Sequence, residues 1–303
     1  MWHKHEQKKK ASGKPDRNLR RSRRLKIWHR IISGLAVLVV AGLLTAFWTL
    51  GIEPDLLTVT RLTITDPTLP ANWNNRVIAF FSDTHVGPSF DARRLARVTA
   101  AIEKAQPDLI LFGGDLVDHR TPADAAFTSD ISACLARMRA PFGQYAIIGN
   151  HDNRLRAELN LAKKILADGG FQVLINKSVV LDGLWLGGLD ESYFGSPNLN
   201  ATYPAGTENS GLWKLLLMHQ PDYGAALPAD AARLILAGHT HNGQITIFGH
   251  PVSTVYQGKI YTYGRYALNE GRQLVVTRGL GTIALAARFC SPPELMLITL
   301  RRG

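Results

Sequence analysis

The stretch VIAFFSDTH at residues 77–85 joins a short apolar run to a polar end, and it shows the pattern that decides the fold. Five consecutive apolar residues bounded by polar ones are typical of a buried strand. The residues that follow, 91–105, have helical periodicity, and Asp91 is a suitable residue to begin a helix. Because strands and helices alternate in this way, the sequence predicts an α/β domain.

Similar apolar runs recur along the rest of the chain. Strands are predicted at 77–81, 109–112, 145–148, 184–186, 214–218 and 234–236, and later at 245–247, 252–256, 260–263, 274–277 and 295–299. Helices are predicted at 91–105, 124–138 and 155–168. Since no internal repeat or proline-rich linker interrupts this pattern, we expect one folded domain over residues 53–303.

Polar loops with metal-binding side chains follow five of the six early strands. They read SDTH at 82–85, GGDLVD at 113–118, GNHD at 149–152, HQ at 219–220 and GHTHNGQ at 238–244. Ligands collect beyond the carboxyl ends of strands in open α/β sheets, so we expect these loops to converge. Asp, Asn and His donors without a thiolate suit Mn²⁺, Fe, Zn²⁺ or Mg²⁺. Asp118 and Asp152 are interpreted as capping or supporting residues.

The ordered set DTH, GGDLVD, GNHD, MHQP and GHTHNGQ resembles the calcineurin-like metallophosphoesterases over roughly residues 75–300. Within that superfamily the chain is most similar to the bacterial membrane-associated phosphodiesterases, through TRGLGT at 277–282 and RFCSPPELMLITL at 288–300. The resemblance implies a four-layer αββα sandwich. Asn242 stands where many relatives have glycine, at a position that supplies no expected ligand.

The resemblance also implies two divalent metal ions, with manganese favoured. One ion would be held by Asp83, His85 and His241, and the other by Asn150, His219 and His239. Asp115 would bridge the ions, and His151 would be the catalytic residue that faces the phosphate. The implied reaction is attack on phosphorus by a hydroxide that two cations activate. His151 would stabilise the transition state or protonate the leaving oxygen.

The net charge of +11 is concentrated at the N-terminus, where residues 1–30 hold twelve Lys and Arg and two acidic residues. The rest of the chain is nearly neutral. This distribution disfavours a folded domain that binds nucleic acid, because phosphate-backbone binding needs a basic face. The alternative is that the tail is an arm that binds nucleic acid and that the enzyme is a nuclease. The adjoining apolar run favours anionic lipid headgroups instead.

Residues 31–52, IISGLAVLVVAGLLTAFWTLGI, carry no charge. Such a run spans roughly 33 Å as a helix, enough to cross a hydrocarbon core of about 30 Å. We therefore predict a single-pass protein of the bacterial cytoplasmic membrane, with tail 1–30 inside, anchor 31–52, and the catalytic domain 53–303 outside. SRRLKI at 22–27 resembles a twin-arginine export signal, and an ordinary basic flank is equally compatible. The sequence after the run has no small-x-small cleavage motif, which favours an uncleaved anchor.

A site tethered at a membrane favours a lipid or cell-envelope phosphodiester as the substrate, and no protein partner is implied. One alternative is a pyrophosphatase similar to UDP-2,3-diacylglucosamine hydrolases of lipid A synthesis, which requires a cytoplasmic catalytic domain. A second alternative, from another class, is a catalytically inactive membrane scaffold.

Three further residues have open interpretations. Cys134 and Cys290, the only cysteines, are too few for a thiolate metal cage and are interpreted as buried free thiols, with a disulfide as the alternative. Arg278 follows a predicted strand near the expected site. It would contact a substrate phosphate or form a structural salt bridge.

Overall fold

The computed structural model describes residues 17–203 and 211–303, with side chains from residue 21 onward. The predicted basic tail, 1–30, therefore lies mostly outside the described residues. The chain divides into two compact units, Met1–Phe47 and Trp48–Gly303. The described part of the first unit is a single helix, α1 (Arg17–Phe47). The helical stretch Arg21–Asp55 is long and apolar enough to be a candidate membrane span, and its apolar window is fully exposed.

The described residues of the second unit form two six-stranded sheets. The first has the order β1 (Thr58–Thr65), β14 (Glu294–Arg301), β2 (Val77–Phe81), β3 (Leu109–Phe112), β4 (Gln144–Ala146) and β5 (Gln172–Val173). The second has the order β12 (Gly264–Ala267), β13 (Gln273–Val276), β9 (Leu234–Ala237), β8 (Trp213–Leu217), β7 (Leu184–Gly188) and β6 (Lys177–Leu181). A separate hairpin pairs β10 (Thr246–Ile247) with β11 (His250–Pro251). The predicted α/β class is confirmed.

Helices cover the outer faces of the sheets. The described helices of the second unit are α2 (Ala92–Ala105), α3 (Ala125–Ala136), α4 (Asn150–Asn153), α5 (Arg156–Asp168) and α6 (Leu199–Thr202). Short 3₁₀ turns occur at Glu53–Asp55, Ala71–Trp73, Pro221–Ala226, His241–Gly243 and Asn269–Gly271, and a π-helical turn at Trp48–Ile52. Residues of α2, α3 and α5 pack on the first sheet, whereas α6 and the Pro221–Ala226 turn pack on the second. These contacts give the order helix, sheet, sheet, helix.

Strand β2 shows why its whole sequence is apolar. Ala79 and Phe81 belong to the core between the first sheet and its helices, whereas Ile78 and Phe80 belong to the core between the two sheets. Side chains alternate between the faces of a strand, so a strand with protein on both sides is apolar throughout. The position of β2 between two cores therefore fixes the loop that follows it.

Most predicted elements are confirmed with ends within two residues of the expected ones. Asp91 and Asp124 are N-caps, accepting hydrogen bonds of 3.0 Å from the Arg94 amide and 2.9 Å from the Phe127 amide. Strands β1, β5, β6, β11 and β12 were not predicted. Strand β1 lies at the sheet edge, where one neighbour supports it and half of its residues alternate toward solvent.

The strands predicted at 252–256 and 260–263 are wrong, since both segments are loops. In the second, the Asp222 carboxylate accepts hydrogen bonds from the amides of Lys259 (2.8 Å), Ile260 (3.1 Å) and Tyr261 (3.0 Å). These amides are therefore satisfied without a neighbouring strand. The local β-propensity of valine, isoleucine and tyrosine is overridden by tertiary contacts.

Both cysteines are free, as interpreted from the sequence, but they are not both buried. Cys134 is partly buried beside α2, where its thiol contacts the Ala92 carbonyl at 3.5 Å. Cys290 is exposed. Burial was expected because free cysteines are among the most buried residue types, and this expectation is wrong for Cys290, whose backbone has a left-handed φ of 53°.

Candidate metal centre

The loops after β2, β3, β8 and β9 meet where the two sheets face each other. His219 Nε2, after β8, lies 3.1 Å from Asp115 Oδ2 and 3.9 Å from Asp83 Oδ1. These three residues come from both sheets, and all are buried. The expected convergence of distant loops is therefore present.

The potential ligand atoms of the described residues form three groups, of which one, His85, Asp115 and His151, shares a residue with each of the other two. Asp83, His85 and His241 have ligand atoms within 4.8 Å of one another, and so do Asp115, His219 and His239. The groups adjoin, because His85 Nε2 lies 3.1 Å from His241 Nε2 and 3.6 Å from Asp115 Oδ2. Asn150 is the first residue of α4 and lines the same cavity. All seven residues assigned to metals are thus brought together, and their metal binding is taken up below as a proposal.

The backbone of this cluster is unusual. Five of the seven residues have left-handed φ values: Asp83 (55°), His85 (44°), Asp115 (57°), His239 (74°) and His241 (49°). Such conformations cost of order 1–3 kcal/mol in non-glycine residues and concentrate at functional sites. Gly149 has a different role, since a Cβ there would lie 2.1 Å from Asp115 Oδ1. Glycine is therefore required for the close approach of the 149–152 loop to Asp115.

Hydrogen bonds orient two of the imidazoles. His219 Nδ1 donates to the Gly113 carbonyl at 2.8 Å, which leaves Nε2 directed at the carboxylates. His239 Nε2 lies 2.9 Å from the Tyr256 carbonyl and 3.1 Å from the Tyr193 hydroxyl. His239 therefore has Nδ1 available to a ligand. A backbone partner on one ring nitrogen is the usual way in which a protein orients a metal-binding histidine.

Burial and charge set the protonation of the cluster. Burial raises the pKa of Asp83 to about 7 and lowers the pKa of His85 to about 3 and that of His239 to about 4. Burial also acts to lower the pKa of His219, but the carboxylates of Asp115 and Asp83 outweigh it and raise this pKa to about 10. Protein groups alone thus leave a buried carboxylate destabilised and most imidazoles neutral, a state that a bound cation would stabilise.

The donor set fits divalent metal ions in two further respects. Among the described residues, the Nδ1 atoms of His85 and His241 are buried without a hydrogen-bond partner, and His219 Nε2 faces the Asp115 carboxylate at 3.1 Å. The described lining of the cavity contains no Lys or Arg, so the phosphate charge must be balanced by something other than a basic side chain. Cations held by Asp, Asn and His would give the imidazole nitrogens a partner and would supply the positive charge that the cavity lining lacks.

Sequence reasoning missed the support behind Asn150. Glu191, after β7, is fully buried and accepts hydrogen bonds from Gln220 (3.1 Å) and Asn153 (2.9 Å). Gln220 in turn donates to Asn150 Oδ1 at 3.4 Å. β7 is the one early strand to which no metal-binding loop was assigned, and Asp190 and Glu191 follow it shortly in the sequence.

Other polar residues near the site have structural contacts. Asp152 accepts from the amides of Val117 (2.8 Å) and Gly149 (3.0 Å), so it joins two site loops, as the supporting interpretation expected. Asp118 pairs with Arg120 at 2.7 Å. Arg278 forms a 2.9 Å salt bridge with Glu294, which is the structural alternative considered above.

His151 differs from the other histidines of the cluster because it is only partly buried. It lines a cavity of about 290 Å³ together with Asp115, Asn150, Tyr193, His239, His241, Val255, Tyr256 and Ile283. Its amide donates to Asp115 Oδ1 at 2.8 Å, and its ring meets His85 edge to face at 4.8 Å. His151 is therefore placed between the buried cluster and the open cavity.

A comparison with protein families agrees with this site. The calcineurin-like phosphoesterase family model matches residues 76–243, which contain all seven clustered residues and His151. The chain belongs to this family. It is accordingly an enzyme, a hydrolase of phosphate esters from a family that binds divalent metals. This membership sets aside the inactive scaffold.

Three curated relatives are similar over most of their length. The chain is 32% identical to the metallophosphoesterase YkuE of Bacillus subtilis, with 90% of this chain and 96% of YkuE covered. It is 30% identical to the phosphodiesterase YaeI of Escherichia coli, with 73% of this chain and 80% of YaeI covered. It is 26% identical to the UDP-2,3-diacylglucosamine pyrophosphatase LpxG of Chlamydia trachomatis, with 88% of this chain and 96% of LpxG covered.

Proposed function

We propose that this protein is a dinuclear-metal phosphodiesterase that acts on a lipid-linked or cell-envelope phosphodiester. The observation that carries the proposal is the convergence of two ligand groups, Asp83, His85 and His241 beside Asp115, His219 and His239, around one cavity. One group would hold each ion, Asn150 would complete the second, and Asp115 would serve both. The ligands are oxygen and imidazole donors without sulfur, which suit Mn²⁺, Fe, Zn²⁺ or Mg²⁺, and manganese is the metal that the family resemblance favours.

Bound divalent cations supply charge stabilisation to phosphoryl oxygens and acidify water in such sites. The residues of this chain position the groups that would contact the substrate. The Asp115 carboxylate accepts the His151 amide at 2.8 Å, so the residue that would bridge the two ions also fixes the histidine at the cavity. From there His151 would donate a proton to the leaving oxygen or a hydrogen bond to the phosphate. The buried imidazoles of His85 and His239 would remain neutral ligands.

A panel of substrates tests the proposed reaction. We expect the full-length protein, purified in detergent with Mn²⁺, to hydrolyse bis-p-nitrophenyl phosphate faster than p-nitrophenyl phosphate. Glycerophosphodiester lipids should be hydrolysed as well, since the relative YaeI is named a phosphodiesterase. Chelation should abolish all turnover. Efficient hydrolysis of the monoester alone would contradict the phosphodiesterase assignment.

The orientation we propose places the N-terminus inside and the catalytic unit outside the cytoplasmic membrane. It is supported by the basic residues that precede the candidate span and by the single Arg61 between residues 51 and 66 that follow it. A uridine-nucleotide lipid would be available to a cytoplasmic catalytic unit. The second candidate function, LpxG-like pyrophosphate hydrolysis, is favoured by the near full-length alignment with that relative.

A topology reporter separates these two functions. We expect alkaline phosphatase fused after Gly303 to be active and green fluorescent protein fused at the same place to be dark after Sec-dependent export. The same pair fused after Arg30 should give the opposite result. A fluorescent fusion at Gly303 together with an inactive alkaline phosphatase fusion there would defeat the outward orientation and favour the LpxG-like reaction, whereas fluorescence with active alkaline phosphatase would indicate export through the twin-arginine route.

A further inference from the structure

Two exposed apolar loops stand beside the catalytic cavity. The tip of the β10–β11 hairpin presents Ile247 and Phe248, and the Phe248 side chain is 98% exposed. The loop at 283–287, IALAA, presents Leu285 with 56% exposure. Exposed large apolar side chains that cluster, rather than occur singly, indicate a surface that contacts a partner or a membrane. We call these two loops the apolar rim.

The two loops are held together by hydrogen bonds. The Gln244 side chain donates to the Leu285 carbonyl at 3.1 Å and accepts from the Ile283 amide at 2.6 Å. The Thr246 amide donates to the Phe289 carbonyl at 2.9 Å. The rim is therefore one connected surface on an ordered base.

The rim is also connected to the end of the candidate membrane span. The Arg288 amide donates to the Thr49 carbonyl at 3.0 Å, and the Ser291 amide donates to Glu53 Oε1 at 2.6 Å. Thr49 and Glu53 lie within the last turns of the stretch Arg21–Asp55. Both residues belong to the second unit, close to its first residue Trp48, so the segment that carries Leu285 is bound to residues that directly follow the first unit in sequence.

The same region lines the cavity and lacks negative charge. Ile283, from the rim, lines the cavity together with Val255 and Tyr256, and Tyr256 is largely exposed. From residue 239 to residue 293 the sequence contains one acidic residue, Glu270, and of its five Lys or Arg two are buried, Arg272 and Arg288, and a third, Arg278, pairs with Glu294. A surface with apolar and aromatic tips and few carboxylates matches the interfacial zone of an anionic bilayer.

We propose that the apolar rim inserts into the headgroup region of the lipid bilayer that holds the anchor, so that the cavity opens toward the membrane surface. Phe248, Ile247 and Leu285 would be the inserted side chains. The substrate class this position favours is a phosphate ester of a membrane lipid, reached without leaving the bilayer. The insertion rests on the membrane anchoring of the proposed function and does not depend on the phosphodiesterase reaction.

The test uses the full chain reconstituted in vesicles of phosphatidylethanolamine and phosphatidylglycerol. Cys134→Ser and Cys290→Ser remove the native thiols, and Phe248→Cys is labelled with an environment-sensitive nitrobenzoxadiazole dye. We expect blue-shifted emission and strong quenching by doxyl-labelled lipid. The matched control is Val180→Cys, an exposed apolar residue on β6, the strand at the opposite edge of the second sheet from β12. It should show neither effect.

Equal, weak quenching at both positions would overturn the insertion, whatever the enzyme hydrolyses. So would quenching at 248 that disappears on dilution of the protein in the vesicles, because it would identify a second copy of the chain as the occupant. Hydrolysis of bis-p-nitrophenyl phosphate by each labelled variant confirms folding and is read separately. A rim that inserts in an enzyme that spares lipid phosphodiesters would contradict the proposed substrate and leave the insertion supported.

Discussion

The Asp115→Asn variant is expected to lose bound metal and at least two to three orders of magnitude in kcat/KM. Asp115 is the carboxylate that approaches both ligand groups, with Oδ2 at 3.1 Å from His219 Nε2 and 3.6 Å from His85 Nε2. An amide of the same shape keeps the packing but removes the charge that attracts cations. Metal ions supply several kcal/mol of transition-state stabilisation, and about 1.4 kcal/mol corresponds to a tenfold rate change.

Metal content by mass spectrometry and kinetics with the aryl diester check this result. Asp66→Asn is the matched control, because Asp66 is as buried as Asp115 but pairs with Arg233 at 2.9 Å, away from the cluster. It should keep full metal content and near-normal turnover. An Asp115→Asn protein with wild-type metal and activity would refute the shared role of this carboxylate.

The His151→Ala variant is expected to keep its metal and lose about 10²–10⁴ in turnover. The loss follows from removing a residue that donates a proton or a hydrogen bond at the reacting group. The structure alone leaves a rival role, since His85, Asp115 and His151 also have ligand atoms within 4.8 Å of one another. Partial exposure at the cavity favours contact with the substrate instead. Metal content separates the two roles.

His119→Ala serves as the control for His151→Ala, because it removes an exposed histidine near the site loops. His119→Ala should leave the metal content and the turnover unchanged. Leaving-group dependence gives a further check: the defect of His151→Ala should be smaller for p-nitrophenolate, which needs little protonation, than for an alkoxide. A variant that loses metal in proportion to activity would make His151 a ligand.

The sequence predicted the first half of the domain well because its signals are local and strong. Strands β2 and β3 are buried on both faces and therefore read as continuous apolar runs. Asp91 and Asp124 mark helix starts through hydrogen bonds to amides three residues on. The site residues follow these strands directly, so predicting the strands also predicted which loops converge.

The features that the sequence did not predict depend on contacts between segments that are distant in the chain. The loop at 260–263 has the composition of a strand, yet Asp222, nearly forty residues earlier, binds its amides. Glu191 was missed because acidic residues after a strand are common, and only its contacts with Gln220 and Asn153 reveal its role. Tyr256 contacts His239 through its carbonyl oxygen, which no side-chain motif records.

The central claim is that one cavity holds two cations between the sheets. Anomalous diffraction from crystals of the manganese-loaded full-length enzyme measures this directly. We expect two peaks, one beside Asp83, His85 and His241 and the other beside Asn150, His219 and His239, with Asp115 in contact with both. A single peak, or manganese bound away from Asp115, would contradict the dinuclear centre.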